Sequence, residues 1–423
     1  MRGLLTRRQA CRSLGLAVAS TALAGCGAGA SGSGEAAASG PGGATAVSTT
    51  GSVEGAATGV GAGAPADEAA RRAGALLATM TLEQKVAQLF FVTPEQLTGY
   101  DRVTAAGDVT RRALEATPVG GLCYFSANIT GADQLTQMLS ATDDLSRQTG
   151  AGVPAFLGVD EEGGSLVARV ANSGYFDVEK FPDMAEVGAA GDEGQAAHVG
   201  SAIGSYLRRI GFTVDFAPDA DVLTNPDNTA IGPRSFGSDP ALVSRMVAAE
   251  VTAMAATGVL PCAKHFPGHG DTAADSHTGE AVSTRTLEEL ETCEYEPFRV
   301  AISAGVPMVM VGHIKTPNAA ADDLPASLSP FMIGRTLRGE LGFGGVIVSD
   351  SFSMGAITQY FGAADAAVRF LQAGGDMVLM PESLPDAYQG VLGAVASGAL
   401  DSTRIDESCR RVLAAKEVAG LLG

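Results

Sequence analysis

Eight short apolar runs, separated by stretches of helical periodicity, limit this chain's possible folds more than any other feature. They are LFFV (89–92), GGLCYF (120–125), AFLGVD (155–160), FTVDFAP (212–218), LPCAKHF (260–266), PMVMVGH (307–313), GGVIVSD (344–350) and DMVLM (376–380). Such runs, mostly apolar and bounded by turn or helix signals, read as parallel strands covered on both faces. Between them DQLTQMLSATDDLSRQ (133–148) and PALVSRMVAAEVTAMAATG (240–258) repeat their apolar residues at helical spacing. Near the start, MTLEQKVAQLF places Gln84 three residues after Thr81, a capping box that opens a helix. Eight such units predict an α/β chain, a TIM-like (β/α)8 barrel with enlarged loops forming a single catalytic domain. A doubly wound open sheet shows the same alternation, because order along the chain does not demonstrate closure.

Polar residues gather at one end of these runs. Asp160 ends the third, Lys264 and His265 the fifth, His313 the sixth and Asp350 the seventh. In a barrel all of these positions converge on the C-terminal mouth, where catalytic groups sit.

The first 66 residues read differently. Residues 1–25 have a basic start, a short apolar run and small residues before Cys26, and LAGC (23–26) has the form of a lipobox. Cys26 is the expected lipidation site, and residues 26–66, mostly Gly, Ala, Ser and Thr, the expected flexible tether before a domain spanning 67–423. The protein is thus expected to be exported, held on the cell membrane only by its N-terminal lipid, and monomeric. An Arg pair at Arg7–Arg8 leaves Sec and twin-arginine export both open. The net charge of −19, which becomes more negative once the four arginines of the leader are removed, repels nucleic acid. Cys123, Cys262, Cys293 and Cys409 are scattered without CxxC spacing and are expected as small buried hydrophobes.

Three of the five histidines fall in KHFPGHGDTAADSH (264–277). His265 and His269 are four apart, but Pro267 and Gly268 between them break a helical metal pair, and no HExxH accompanies them. No metal and no cofactor is expected. GHG is too short for a phosphate loop. Asp275 and His277, two apart in an extended loop, face the same way, so the carboxylate could hold one imidazole nitrogen and leave the other for a substrate. A capped turn with an exposed His is the plain alternative. Asp350 in GVIVSDS could attack a carbon centre, stabilise a cation or bind a metal, or simply cap the next helix. In GVDEEGG (158–164) three successive acids would ordinarily be partly solvated, which singles out Asp160, nearest the strand. Arg234 lies in a Pro/Gly-rich loop suited to a rigid ligand contact, or to a surface salt bridge.

MTLEQKVAQLF, DEEGG, IGPRSFGSDP, KHFPGHGDTAADSH and VIVSDSFSM, in that order, resemble bacterial family 3 glycoside hydrolases, and most closely their β-N-acetylhexosaminidase branch. The likeness runs from about Leu76 to the C-terminus, and the family fold is a TIM-like barrel. Many relatives add a second α/β domain, which is not expected before Gly423. The resemblance implies that Asp350 is the nucleophile and His277 the general acid/base, with Asp275 as its partner. It implies that Asp160, Arg234, Lys264, His265 and Arg169 hold the sugar. A retaining reaction ordinarily uses two carboxyl groups, and here a His–Asp dyad would replace the acid. The implied substrate is carbohydrate, terminal β-linked GlcNAc of peptidoglycan fragments or chito-oligosaccharides. A family 3 β-glucosidase, a phosphorylase and a sugar-binding lipoprotein are the alternatives.

Overall fold

The computed structural model describes residues 71–422 except 274, 275, 277 and 278. The leader, Cys26, the tether, Asp275 and His277 lie outside the described residues. All eight apolar runs contain strands: β1 (Phe90–Val92), β2 (Gly121–Tyr124), β3 (Phe156–Val159), β4 (Val214–Asp215), β5 (Leu260–Phe266), β6 (Met308–Val311), β7 (Val346–Ser349) and β8 (Val378–Leu379). Every residue in them is buried. They form one parallel sheet in the order β7-β6-β5-β4-β3-β2-β1-β8. A parallel bridge between Val348 and Met377, where β7 meets the residue before β8, joins the two ends. The sheet is therefore a barrel, and the open-sheet alternative is excluded.

Inside the barrel the ring of Phe91 occupies space that β2 and β3 leave open. A Cβ on Gly121 or on Gly158 would lie 2.7 Å from that ring, so only glycine fits at either position. Phe216 meets Phe91 edge-on at 5.2 Å. These contacts set the register of three neighbouring strands through close packing.

The helices follow local signals. Thr81 and Gln84 form the predicted capping box of the opening helix Leu82–Ala87. Helices α1 (Asp108–Ala116), α2 (Ala132–Arg147), α3 (Glu193–Ile210), α4 (Pro240–Ala255), α5 (Tyr295–Ser303), α6 (Phe331–Glu340, wound as a π-helix), α7 (Ala363–Ala373), α8 (Leu384–Ala396) and α9 (Ser402–Val418) cover the barrel. Asp192, Asp239 and Asp401 accept backbone N–H groups at the starts of α3, α4 and α9. At the entry to β8, buried Asp376 takes Arg338 from α6 and Arg404 and Arg411 from α9, tying both helices to the barrel. Cys123, Cys262 and Cys409 are buried, Cys293 is half-buried, and all four are unbridged. No described helix is long and apolar enough to cross a membrane.

Candidate active site

The site starts where β3 ends. Asp160 follows Val159, and a short antiparallel pair, Glu161–Gly163 with Val167–Ala168, turns the chain back on itself. Gly163 and Gly164 make that turn at φ of 85° and 70°, the left-handed region that favours glycine. The return delivers Arg169 to Asp160, with Nη2 3.2 Å from Oδ2, and lays its guanidinium 4.5 Å from the centre of the Phe125 ring. Glu161 secures the return. Its carboxylate accepts the Val170 and Ala171 N–H groups at 2.7 and 2.9 Å and the Tyr206 hydroxyl at 2.7 Å.

Glu162 is the centre of the ionic array. Its Oε1 lies 2.6 Å from Lys264 Nζ and 2.7 Å from Arg234 Nη2, and its Oε2 accepts Arg234 Nε at 2.8 Å. Lys264 Nζ also donates to Asp160 Oδ1 at 2.8 Å, and Arg234 Nη1 to the Ala230 carbonyl at 2.9 Å. Burial pushes the Glu162 carboxyl upward, but the charges of Arg234 and Lys264 outweigh it and hold the group well below the usual carboxylate range. Burial likewise opposes ionised Asp160, which Lys264 and Arg169 nevertheless keep below its ordinary value. Burial also disfavours the Lys264 ammonium, yet Asp160 and Glu162 raise its pKa well above normal. Against burial, the pKa of Arg234 is likewise raised by Glu162 and Asp219, so these four groups each favour the charged form.

The expectation that three successive acids are partly solvated fails for Glu161 and Glu162, which are 0% and 2% exposed. Each is buried because the fold brings it donors: backbone N–H groups and a tyrosine for one, two cations for the other. Arg234 is accordingly no surface salt bridge.

A second cluster lies beneath the cations. Asp221, fully buried, accepts His265 Nδ1 at 2.8 Å, the His265 N–H at 3.3 Å and the His269 N–H at 2.6 Å. Holding Nδ1 leaves the His265 Nε2 for a ligand. Asp219, Asp221 and His265 offer potential metal-ligand atoms within 4.8 Å of one another. Their donor set fits a cation poorly. His265 Nδ1 already engages Asp221, and Arg234 Nη2 stands 3.5 Å from Asp219 Oδ2 as the local positive charge. Burial, reinforced by the charge of Asp221, pushes the Asp219 carboxyl well above its usual range, toward the neutral acid. The pair of acids at the end of DFAPDADV is a pattern that strand-end reasoning could have found.

Asp350 follows β7 and accepts the Ser351 N–H on Oδ1 at 2.7 Å. It caps no helix, since the next one, Gly355–Thr358, has Met354 at its N-cap position. His313 does not join the mouth. Buried between Ser327 Oγ at 2.8 Å and the Ser351 carbonyl at 2.9 Å, it braces the residue after Asp350.

Asp160, Arg169, Arg234, Lys264, His265 and Asp350 line one cavity of about 280 Å³, together with Glu162 and the apolar side chains of Phe125, Val167, Met310, Met354, Leu379 and Met380. Apart from His313, every described site residue predicted from the sequence is thus brought to one place. The volume lies just under the usual range for ligand cavities (~300–1,000 Å³), suited to one ring rather than a chain. Fixed ions on one side, a carboxylate after β7 and an apolar wall give a place to grip hydroxyls and attack a ring carbon.

The chain belongs to glycosyl hydrolase family 3, whose N-terminal domain model matches residues 81–415. It is 36% identical over 278 residues to beta-hexosaminidase A of Pseudoalteromonas piscicida, the match covering 62% of this chain and 46% of that protein. It is also 36% identical to beta-hexosaminidase LpqI of Mycobacterium tuberculosis, over 63% of this chain and 69% of the relative. Among solved structures, the family 3 beta-N-acetylglucosaminidase from Paenibacillus sp. FPU-7 superposes with a TM-score of 0.76 at 36% identity, covering 82% of this chain and 64% of that one. A family 3 glycosyl hydrolase from Mycobacterium smegmatis gives 0.69 at 36% identity, covering 80% and 98%.

Proposed function

We propose that the chain is an exo-acting, retaining β-N-acetylglucosaminidase that releases terminal GlcNAc from peptidoglycan fragments or chito-oligosaccharides. The observation that carries this reading is the convergence of Asp350 and the Asp160–Lys264–Glu162–Arg234 array on one small cavity. The beta-hexosaminidase names of two relatives at 36% identity support a hexosaminide, and the beta-N-acetylglucosaminidase among the solved structures supports the choice of GlcNAc.

In the first step a carboxylate oxygen of Asp350 forms a bond to the anomeric carbon as the glycosidic C–O bond breaks. His277 gives its proton to the leaving oxygen, and Asp275 steadies the imidazolium. In the second step neutral His277 takes a proton from water, whose oxygen attacks the same carbon and releases Asp350. Asp160, Arg169, Arg234, Lys264 and His265 hold the ring hydroxyls throughout. Fixed before the substrate arrives, these groups reorganise little at the transition state. The reading extends to export and attachment to the membrane through lipidated Cys26, for which an acylated mature N-terminus found by mass spectrometry is the test.

A panel of aryl glycosides of GlcNAc and glucose, with and without phosphate, followed by a fluorinated GlcNAc trap and peptide mass spectrometry, tests the enzyme reading. Hydrolysis of the GlcNAc glycoside and a label on Asp350 are expected. A label on any other residue, or a preference for glucose, overturns it.

A further inference from the structure

His269 is outside the cavity and has no part in the mechanism above, yet it is among the best-connected side chains near it. Buried to 97%, it uses both ring nitrogens. Thr272 Oγ1 lies 2.8 Å from Nδ1 and Ser276 Oγ 3.0 Å from Nε2. A hydroxyl can donate or accept, so either tautomer of the ring keeps both contacts. The backbone of His269 is fixed as well: Asp221 takes its N–H at 2.6 Å, and Asn228 Nδ2 donates to its carbonyl at 2.7 Å.

Ser276 stands between Asp275 and His277 in the chain and is 1% exposed. Besides His269 it engages the segment after β7: its carbonyl accepts the Ala356 N–H at 3.2 Å. Ser276 is therefore held from two directions, by the residues that follow β5 and by those that follow Asp350. A buried serine on a loop with no task would gain little from a histidine devoted to it. Consecutive Cα atoms lie about 3.8 Å apart, so whatever fixes one residue constrains the next. Asp221 links the two histidines, holding His265 at the cavity and His269 at Ser276 through one carboxylate.

We propose that His269 and Ser276 are positioning residues for proton transfer, their hydrogen bond setting the place of the Asp275–His277 segment relative to Asp350. The inference rests on the reading of His277 as the general acid/base. It assigns Ser276, and not only its two neighbours, a part in the reaction, and it gives His269 a role that metal ligation and sugar binding do not.

The test uses two aryl GlcNAc glycosides with the full-length protein. A dinitrophenyl glycoside leaves without protonation, whereas a phenyl glycoside needs the acid. Misplacing a reacting group by about 1 Å costs on the order of 100-fold. Ser276→Ala should therefore lower kcat/KM on the phenyl glycoside roughly 10- to 100-fold and on the dinitrophenyl glycoside by less than about threefold, with the melting temperature little changed. An equal fall on both substrates, or none on either, overturns the proposal. Thr272→Val, which removes the hydroxyl at the other ring nitrogen, carries the same expectation should Ser276→Ala fail to fold. His277→Ala is run beside them. If it shows the leaving-group dependence and Ser276→Ala and Thr272→Val do not, only the positioning role falls. If His277→Ala shows none, the acid/base reading falls and takes this one with it.

Discussion

Replacing Glu162 by Gln removes one negative charge from a site where two cations depend on it. The carboxylate receives Lys264 Nζ at 2.6 Å and Arg234 at 2.7 and 2.8 Å, and the side chains of all three are at most 14% exposed. An amide keeps one accepting oxygen but turns an NH₂ toward a guanidinium or an ammonium, so at least one contact becomes donor against donor. Removing one partner of a buried ion pair costs about 3–5 kcal/mol. Lys264 keeps Asp160, and Arg234 keeps the Ala230 carbonyl and Asp219, which places Glu162→Gln near the lower end, about 3 kcal/mol. If two-thirds of that is felt as misplaced sugar-binding groups, at about 1.4 kcal/mol per tenfold, kcat/KM on an aryl GlcNAc glycoside falls roughly 30-fold. Urea unfolding at pH 7 and steady-state kinetics measure the two effects. Because the folded pKa of Glu162 is depressed, its contribution is present above the ordinary value of 4.5 and is lost as pH falls, so the variant's deficit narrows in acid. The control is Glu179→Gln, in a pair with His198 whose two side chains are both more than half exposed, where little change is expected. A Glu162→Gln protein within about 1 kcal/mol of wild type and within threefold in kcat/KM would refute the assignment of Glu162 as the hub.

Glu250 on α4 is buried with no hydrogen-bond partner on either oxygen among the described residues, and burial, with a smaller push from Glu162, raises its pKa to about 8. A raised carboxyl pKa favours the fold below the unfolded value of 4.5 and loses that advantage as pH climbs to 8. Relative to Glu250→Gln, wild type should thus lose stability between pH 5 and 8, by at most about 1.4 kcal/mol per pH unit; a constant difference in urea midpoint sinks the idea. Gly188 packs on the segment that carries Arg234, and a Cβ there would sit 1.8 Å from the Phe236 carbonyl oxygen. Gly188→Ala should cost about 1–3 kcal/mol and raise KM, whereas Gly393→Ala, with open space on α8, should be neutral or stabilising by about 0.5–1 kcal/mol. Thermal unfolding of both proteins and KM on the aryl glycoside check this, and equal behaviour of the two would contradict it.

Much of this protein is written locally. A strand covered on both faces must be apolar at every position, so eight such runs named the eight strands, and the polar residues closing runs three, five and seven, Asp160, Lys264, His265 and Asp350, marked the mouth. Capping at Thr81 was equally plain, since donor and acceptor lie three residues apart. His313 shows the limit: it ends a run as the others do, but Ser327 and the Ser351 carbonyl absorb both its nitrogens. Which acids are buried was not readable at all. Glu162 differs from a solvated surface acid only because Arg234, 72 positions away, and Lys264 close on it, just as Asp160 meets Lys264 across 104 positions. Closure of the sheet rests on Val348 meeting Met377, and the link from His269 to Ser276 on a loop folding back upon its own root. Periodicity and capping depend on neighbours a few residues apart, so the sequence determined the elements and their order. The charge states and contacts of the site depend on partners brought together from distant strands, and only the closed barrel decided them.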